Sequence, residues 1–190
     1  MVLVGLYLAL FCVDSGRVAA TSSPTSTPSF AITTCDSAAV AVGAASCMSL
    51  PSDGRIVEYY TTQKTWENAR VFCDNRGLKM LSIHSDAETR AIFSLMETTD
   101  DPNGQNSRRA WIGLSDGATE GTWVWDDNSI TDYFNWYPGE PAANNVNTNC
   151  VHFFGPSKAG STFWTQAFEK HWNDAQCTNT MRFFCSPPFG

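Results

Sequence analysis

The chain has 190 residues and a formal net charge of −7, with 43% hydrophobic and 13% aromatic residues and seven tryptophans. That is the length of one ordinary domain, with enough apolar surface to bury a core, so wholesale disorder is excluded. The acidic balance argues against a nucleic-acid binder or electrostatic docking on anionic lipid, and only 16% charged residues leaves no coiled coil.

Met1 to Val13 is an apolar run too short to span a bilayer well. With the small-residue pattern Val18-x-Ala20 it reads as a signal peptide, residues 1–20, cleaved after Ala20. No later segment is long and apolar enough to cross a membrane, so a soluble secreted protein is expected. Eleven of the 14 residues 21–34 are Ser, Thr or Pro, a spacer-like leader. The folded domain is expected over 35–185, with a short tail at 186–190. Outside the signal segment stand six cysteines, at 35, 47, 73, 150, 177 and 185. An even number in a secreted chain points to three disulfides, which arithmetic alone pairs in about 15 ways. No Cys-x-x-Cys spacing suggests zinc.

Residues 56–60, β-branched and aromatic, predict a strand. Thr65 then caps a predicted helix whose buried stripe is Trp66, Ala69 and Cys73, closed by Gly77. A short strand is expected over 79–83. Ser85 followed by Glu88 forms a capping box for a second helix carrying Ala91, Ile92, Leu95 and Met96. Residues 100–108 form a polar turn region without the spacing of an EF-hand. Strands are predicted over 110–114, 122–125, 150–154 and 183–185, with a turn at 126–128 and long irregular stretches at 133–149 and 155–169. The sum is an α+β fold, two helices followed by short strands and long polar loops on which function is expected.

No Gly-x-Ser-x-Gly elbow, phosphate-cradling glycine loop or His-Glu-x-x-His is present, so the chain does not read as an enzyme. Glu140 and Asp174 offer a carboxylate pair, as any acidic chain does. Oxygen donors are the better lead. Residues 140–149 are rich in Asn around Glu140, and Asn173-Asp174 lies just before Cys177. Hard calcium takes about six to eight such oxygens. The plainer reading is that the asparagines supply turns.

Several motifs in order then become specific: Trp66-Glu67-Asn68-Ala69-Arg70-Val71-Phe72-Cys73, Trp111-Ile112-Gly113-Leu114, Gly121-Thr122-Trp123-Val124-Trp125, Phe134-Asn135-Trp136, and Trp172-Asn173-Asp174 before Cys177 and Phe184-Cys185. Over 35–185 the chain resembles the C-type lectin-like domain family in its secreted, single-domain long form. The resemblance implies two helices packed on short antiparallel strands, with a long irregular ligand-binding loop. It implies the pairs Cys73–Cys185, Cys150–Cys177 and Cys35–Cys47, and a cis bond before Pro141.

In sugar-binding members, calcium and two sugar hydroxyls share one set of ligands. On that pattern Glu140, Asn173 and Asp174 match, while Ala142 and Thr148 replace an Asn and a Glu. A shifted loop would bring Asn144, Asn145 or Asn147 into the gap. A second, structural calcium site is matched by Asp116 and Glu120, with Ala143 and Asn149 at positions that are usually acidic. Trp66, Trp111 and Trp136 are expected in the core, and Trp164 is the candidate for stacking on a sugar or partner. The expected function is calcium-assisted recognition of a glycan or glycoprotein with altered selectivity. The alternative, favoured by Ala142 and Thr148, is a calcium-independent module for a protein or another surface.

Overall fold

A computed structural model describes residues 32–97, 109–141, 146–157 and 166–190. The signal segment, most of the leader, the polar turn at 100–108, residues 142–145 and Trp164 lie outside the described residues.

In chain order the elements are β1 (Ile32–Thr33), α1 (Ser37–Ala41), β2 (Ser46–Ser49), β3 (Ile56–Lys64), α2 (Trp66–Asp74), β4 (Lys79–Met80), α3 (Asp86–Glu97), β5 (Arg109–Ser115), β6 (Val124–Trp125), β7 (Cys150–Phe154), β8 (Trp172–Ala175) and β9 (Met181–Ser186). The strands form one sheet in the order β1-β2-β3-β9-β5-β7-β8, with β4 also on β9 and β6 on β5. All pairings are antiparallel except β5–β9, where Ala110 faces Arg182 and Trp111 faces Phe183. That parallel step adds to the short antiparallel strands expected. The long excursion from β5 through β6, β7 and β8 supplies the crossover that parallel neighbours need.

The two predicted helices form where their caps and stripes place them. Thr65 Oγ1 accepts the Asn68 N–H, and Ala69 and Cys73 are fully buried. Trp66 is only half-buried, its indole N–H donating to the Ile112 carbonyl at 2.9 Å. At the second helix, Ser85 Oγ accepts the Glu88 N–H, but the Glu88 carboxylate reaches past Ser85 to the His84 N–H at 2.6 Å. Glu88 is thereby buried, and it also takes a hydrogen bond from Ser52 and an ion pair from Arg55. A third helix, α1, has only five residues, too few for a periodic pattern. It forms because Asp36 caps it, accepting the Ala39 N–H at 2.6 Å.

The three disulfides are Cys35–Cys47, Cys73–Cys185 and Cys150–Cys177. They staple the α1 segment to β2, α2 to β9, and the entrance of β7 to the turn after β8. One buried cluster lies under α3 around Trp125, Trp172, Ile112 and Phe153; the other lies under α2 around Tyr60, Trp111 and Phe183. Gly113 is needed for close approach. A Cβ there would stand 2.8 Å from the Met80 carbonyl oxygen, because the Gly113 N–H donates to Leu81 O at 2.8 Å. The acids of the 126–128 turn also join strands: Asp126 accepts the Met80 N–H, and Asp127 accepts from Ser82, Ser129 and the Phe189 N–H of the tail. Burial opposes ionisation of Asp127, yet these donors together hold its carboxyl below the usual carboxylate range.

Candidate functional site

Asn173 and Asp174 lie on β8, which pairs with β7, the strand that follows the long irregular stretch. Cross-strand pairing sets Val151 opposite Asp174 and His152 opposite Asn173, and the Cys150–Cys177 bridge pins the two strand ends. The segment before the loop runs beside β8. Trp136 bridges Trp172 in parallel, the Tyr137 N–H donates to Trp172 O at 2.8 Å, and the Glu140 N–H closes back on Tyr137 O at 2.9 Å. The Glu140–Pro141 peptide is cis. Glu140 therefore closes the turn that follows the Trp136–Trp172 pairing, while Asn144, Asn145 and Trp164 lie outside the described residues.

Asp174 is buried, and its Oδ2 accepts a hydrogen bond from the Thr148 hydroxyl at 2.5 Å. Sequence reasoning counted Thr148 only as a lost ligand. In the fold the hydroxyl occupies the Asp174 oxygen itself. A cation at this position would compete with that bond, and Ala142 has no side-chain oxygen to offer it. The principal donor set thus does not fit a tightly held calcium ion, which needs several converging oxygens. Among the described residues, no group of three or more His, Cys, Asp or Glu is placed to hold a metal.

The second predicted set fits better. The Asp116 N–H donates to Asn149 O at 3.2 Å, which brings the two residues side by side at the start of β7. Asp116 Oδ2 accepts the Gly121 N–H at 2.9 Å and so shapes the 116–121 turn. Asp116 Oδ1 and Asn149 Oδ1 are both buried without a hydrogen-bond partner. Buried oxygens in that state are costly, and a hard cation is the kind of partner that relieves them. Glu120 stands exposed on the same turn.

Under Asn173, His152 is fully buried; burial, then the nearby Arg109 guanidinium, push its imidazole down to about 3. It is neutral at physiological pH and adds no charge beneath the site. Asn173 Oδ1 is likewise buried without a partner.

Compared with known proteins, residues 62–187 match the family description "Lectin C-type domain". The chain belongs to the C-type lectin family. A C-type lectin described as a "mannose-binding isoform", from Oxyuranus scutellatus, is 31% identical over 142 residues, covering 74% of this chain and 81% of that one. The carbohydrate-recognition domain of cow CD23, solved in the presence of a GlcNAc2Man3 oligosaccharide, is 32% identical with a TM-score of 0.52, covering 70% of this chain and 89% of that chain. A calcium-independent type II antifreeze protein is 26% identical with a TM-score of 0.55, covering 70% and 86%. This C-type lectin thus shares its fold both with a sugar-recognition domain and with a protein described as calcium-independent.

The aromatic residues divide differently from expectation. Trp111 is buried as predicted, its indole N–H donating to Lys64 O at 3.0 Å. Trp136, expected in the core, is only partly buried and packs on Trp123. Among the described residues, Phe134, named in the sequence only as part of a strand motif, presents an exposed aromatic ring. Its signal was an apolar ring at the start of an irregular polar stretch, without a strand pattern to bury it.

Proposed function

We propose that this is a secreted, non-catalytic lectin that binds glycans through the face carrying Glu140, Asn173 and Asp174, without a tightly held calcium ion at that position. In this reading residues 1–20 are removed, residues 21–34 form a leader, and 35–185 are the binding domain. The observation that carries it is the Thr148–Asp174 hydrogen bond. One oxygen of the carboxylate that sugar-binding relatives are expected to share with calcium is engaged here by a donor of the protein itself. Sugar hydroxyls then donate directly to the Glu140 and Asp174 carboxylates and accept from the Asn173 side-chain amide. The calcium-assisted alternative loses ground for the same reason. Any calcium the domain takes is assigned to Asp116, Asn149 and Glu120, where it would brace the base of the loop.

The test is a glycan array read in calcium and again in chelator, beside calorimetric calcium titration of the full chain. Glycan binding that survives chelator and is lost in Asp174→Ala is the expected result. Binding abolished by chelator and restored by calcium returns the calcium-assisted reading. A second reading, recognition of a protein surface, is favoured by Ile130 and Val146, which are 68% and 64% exposed. It is supported by an array without glycan signal together with a partner captured in chelator.

A further inference from the structure

We propose that Phe134, backed by Trp136 and Trp123, is a stacking platform for the apolar face of a pyranose ring, a subsite beyond the Glu140–Asp174 face. The inference rests on the glycan reading above and adds a contact that uses neither calcium nor the polar ligands.

Phe134 is 45% exposed, and its ring stacks on that of Trp136 with centroids 6.1 Å apart and planes at 17°. Trp136 in turn packs on Trp123 at 4.9 Å and meets the buried Trp172 edge-on at 6.0 Å. The residues on either side of Phe134 are tied to the rest of the domain. The Asn135 side-chain amide donates to Lys170 O, Asn135 O accepts the Trp172 N–H, and the Tyr133 hydroxyl bonds Thr89. A half-exposed ring on so rigid a mount loses little freedom when something covers it.

Size and composition select the occupant. Stable protein interfaces bury on the order of 1,000 Å² or more, far beyond three rings of which two are partly covered already. A pyranose has one face of C–H groups attached to oxygen-bearing carbons, so those hydrogens are partially positive. They match the negative π face of an aromatic ring. The hydroxyl rim of such a sugar needs polar groups nearby. The same strip of chain that carries Phe134 and Trp136 pairs with β8 at Trp172, next to Asn173 and Asp174 in sequence, and then turns at 137–140 to Glu140. One oligosaccharide could therefore lay an apolar face on the rings and its hydroxyls on the polar residues.

The experiment uses the full chain in chelator against a printed array of mannose-, galactose-, N-acetylglucosamine- and fucose-terminated neutral oligosaccharides. Phe134→Leu, Phe134→Trp and Asp174→Ala are run beside wild type. The best array glycan is then titrated in solution with saturation-transfer NMR. Phe134→Leu keeps an apolar side chain but removes the π face, and is expected to weaken binding about three- to tenfold at an unchanged melting temperature. Phe134→Trp is expected to retain affinity, with transfer strongest to the C–H protons of one sugar face. Wild-type affinity in Phe134→Leu, with loss in Asp174→Ala, overturns the platform and leaves the glycan reading standing. No array signal from wild type overturns the glycan reading and the platform with it.

Discussion

Replacing Thr148 by Val isolates the contact on which the functional reading turns. The substitution keeps the side-chain shape and removes only the hydroxyl, so Asp174 Oδ2 loses the donor it holds at 2.5 Å while remaining buried. A hydrogen bond to a charged group contributes about 1.5–3 kcal/mol, and a buried acceptor stripped of its partner costs a similar amount. For a domain of this size, each kcal/mol moves the midpoint by roughly 2–4 °C, so a fall of about 3–12 °C is expected. Differential scanning calorimetry in chelator reads it directly. The same variant scanned in calcium should recover part of the loss, because the freed carboxylate oxygen can now take a cation. A melting temperature in chelator equal to wild type would refute the argument that Thr148 satisfies Asp174.

Ala142→Asn with Thr148→Glu restores the two missing oxygen side chains. The double variant should gain calcium stabilisation beyond wild type, about 2.7 kcal/mol at a hundredfold excess over Kd. Equal calcium shifts in the two proteins would show that the ligand set is not what limits the site. Gly113→Ala drives a Cβ to 2.8 Å from Met80 O and 3.2 Å from Leu81 O, backbone atoms that cannot turn aside. A loss of about 1–3 kcal/mol in denaturant unfolding is expected, and an unchanged midpoint would contradict the close approach of β4 and β5. His152 is neutral when folded, with a pKa of about 3, and ordinary when unfolded. The unfolded chain therefore binds the extra proton, and stability falls as pH drops below about 6.5, by about 1.4 kcal/mol per pH unit until the folded value is reached. Urea midpoints measured between pH 7 and 4 should lose one proton's worth of slope in His152→Phe; identical slopes would place the acid sensitivity elsewhere.

Much of the fold was legible because its signals are local. Thr65 and Ser85 announce their helices through capping chemistry, Cys73 sits on the buried stripe, and residues 150–154 are the strand their composition suggests. The Trp111-Ile112-Gly113-Leu114 motif carries its own explanation in the contact of Gly113 with β4. What escaped was set by partners distant in sequence. β8 (Trp172–Ala175) carries an Asn-Asp pair that reads as a turn, and becomes a strand only because β7 lies beside it. Glu88 fits a capping box, but His84, Ser52 and Arg55 decide where its carboxylate goes. At the proposed site, residue types singled out Asn173 and Asp174, which the fold places on β8. They gave no hint that Thr148 would donate to Asp174, since that contact crosses 26 residues of sequence.

The position of β9 bears on how the protein comes to exist. This strand, Met181–Ser186, lies between β3 and β5 and also carries β4, so the middle of the sheet is made after every other strand in the sheet has been synthesised. Until then β3 and β5 have no common neighbour, and the apolar faces of α2 and α3 have no finished sheet to cover. The domain cannot assemble piece by piece from its amino end. Losing residues 181–190 would leave a hole at the centre of the sheet rather than a frayed edge. A premature stop there should yield no folded protein at all.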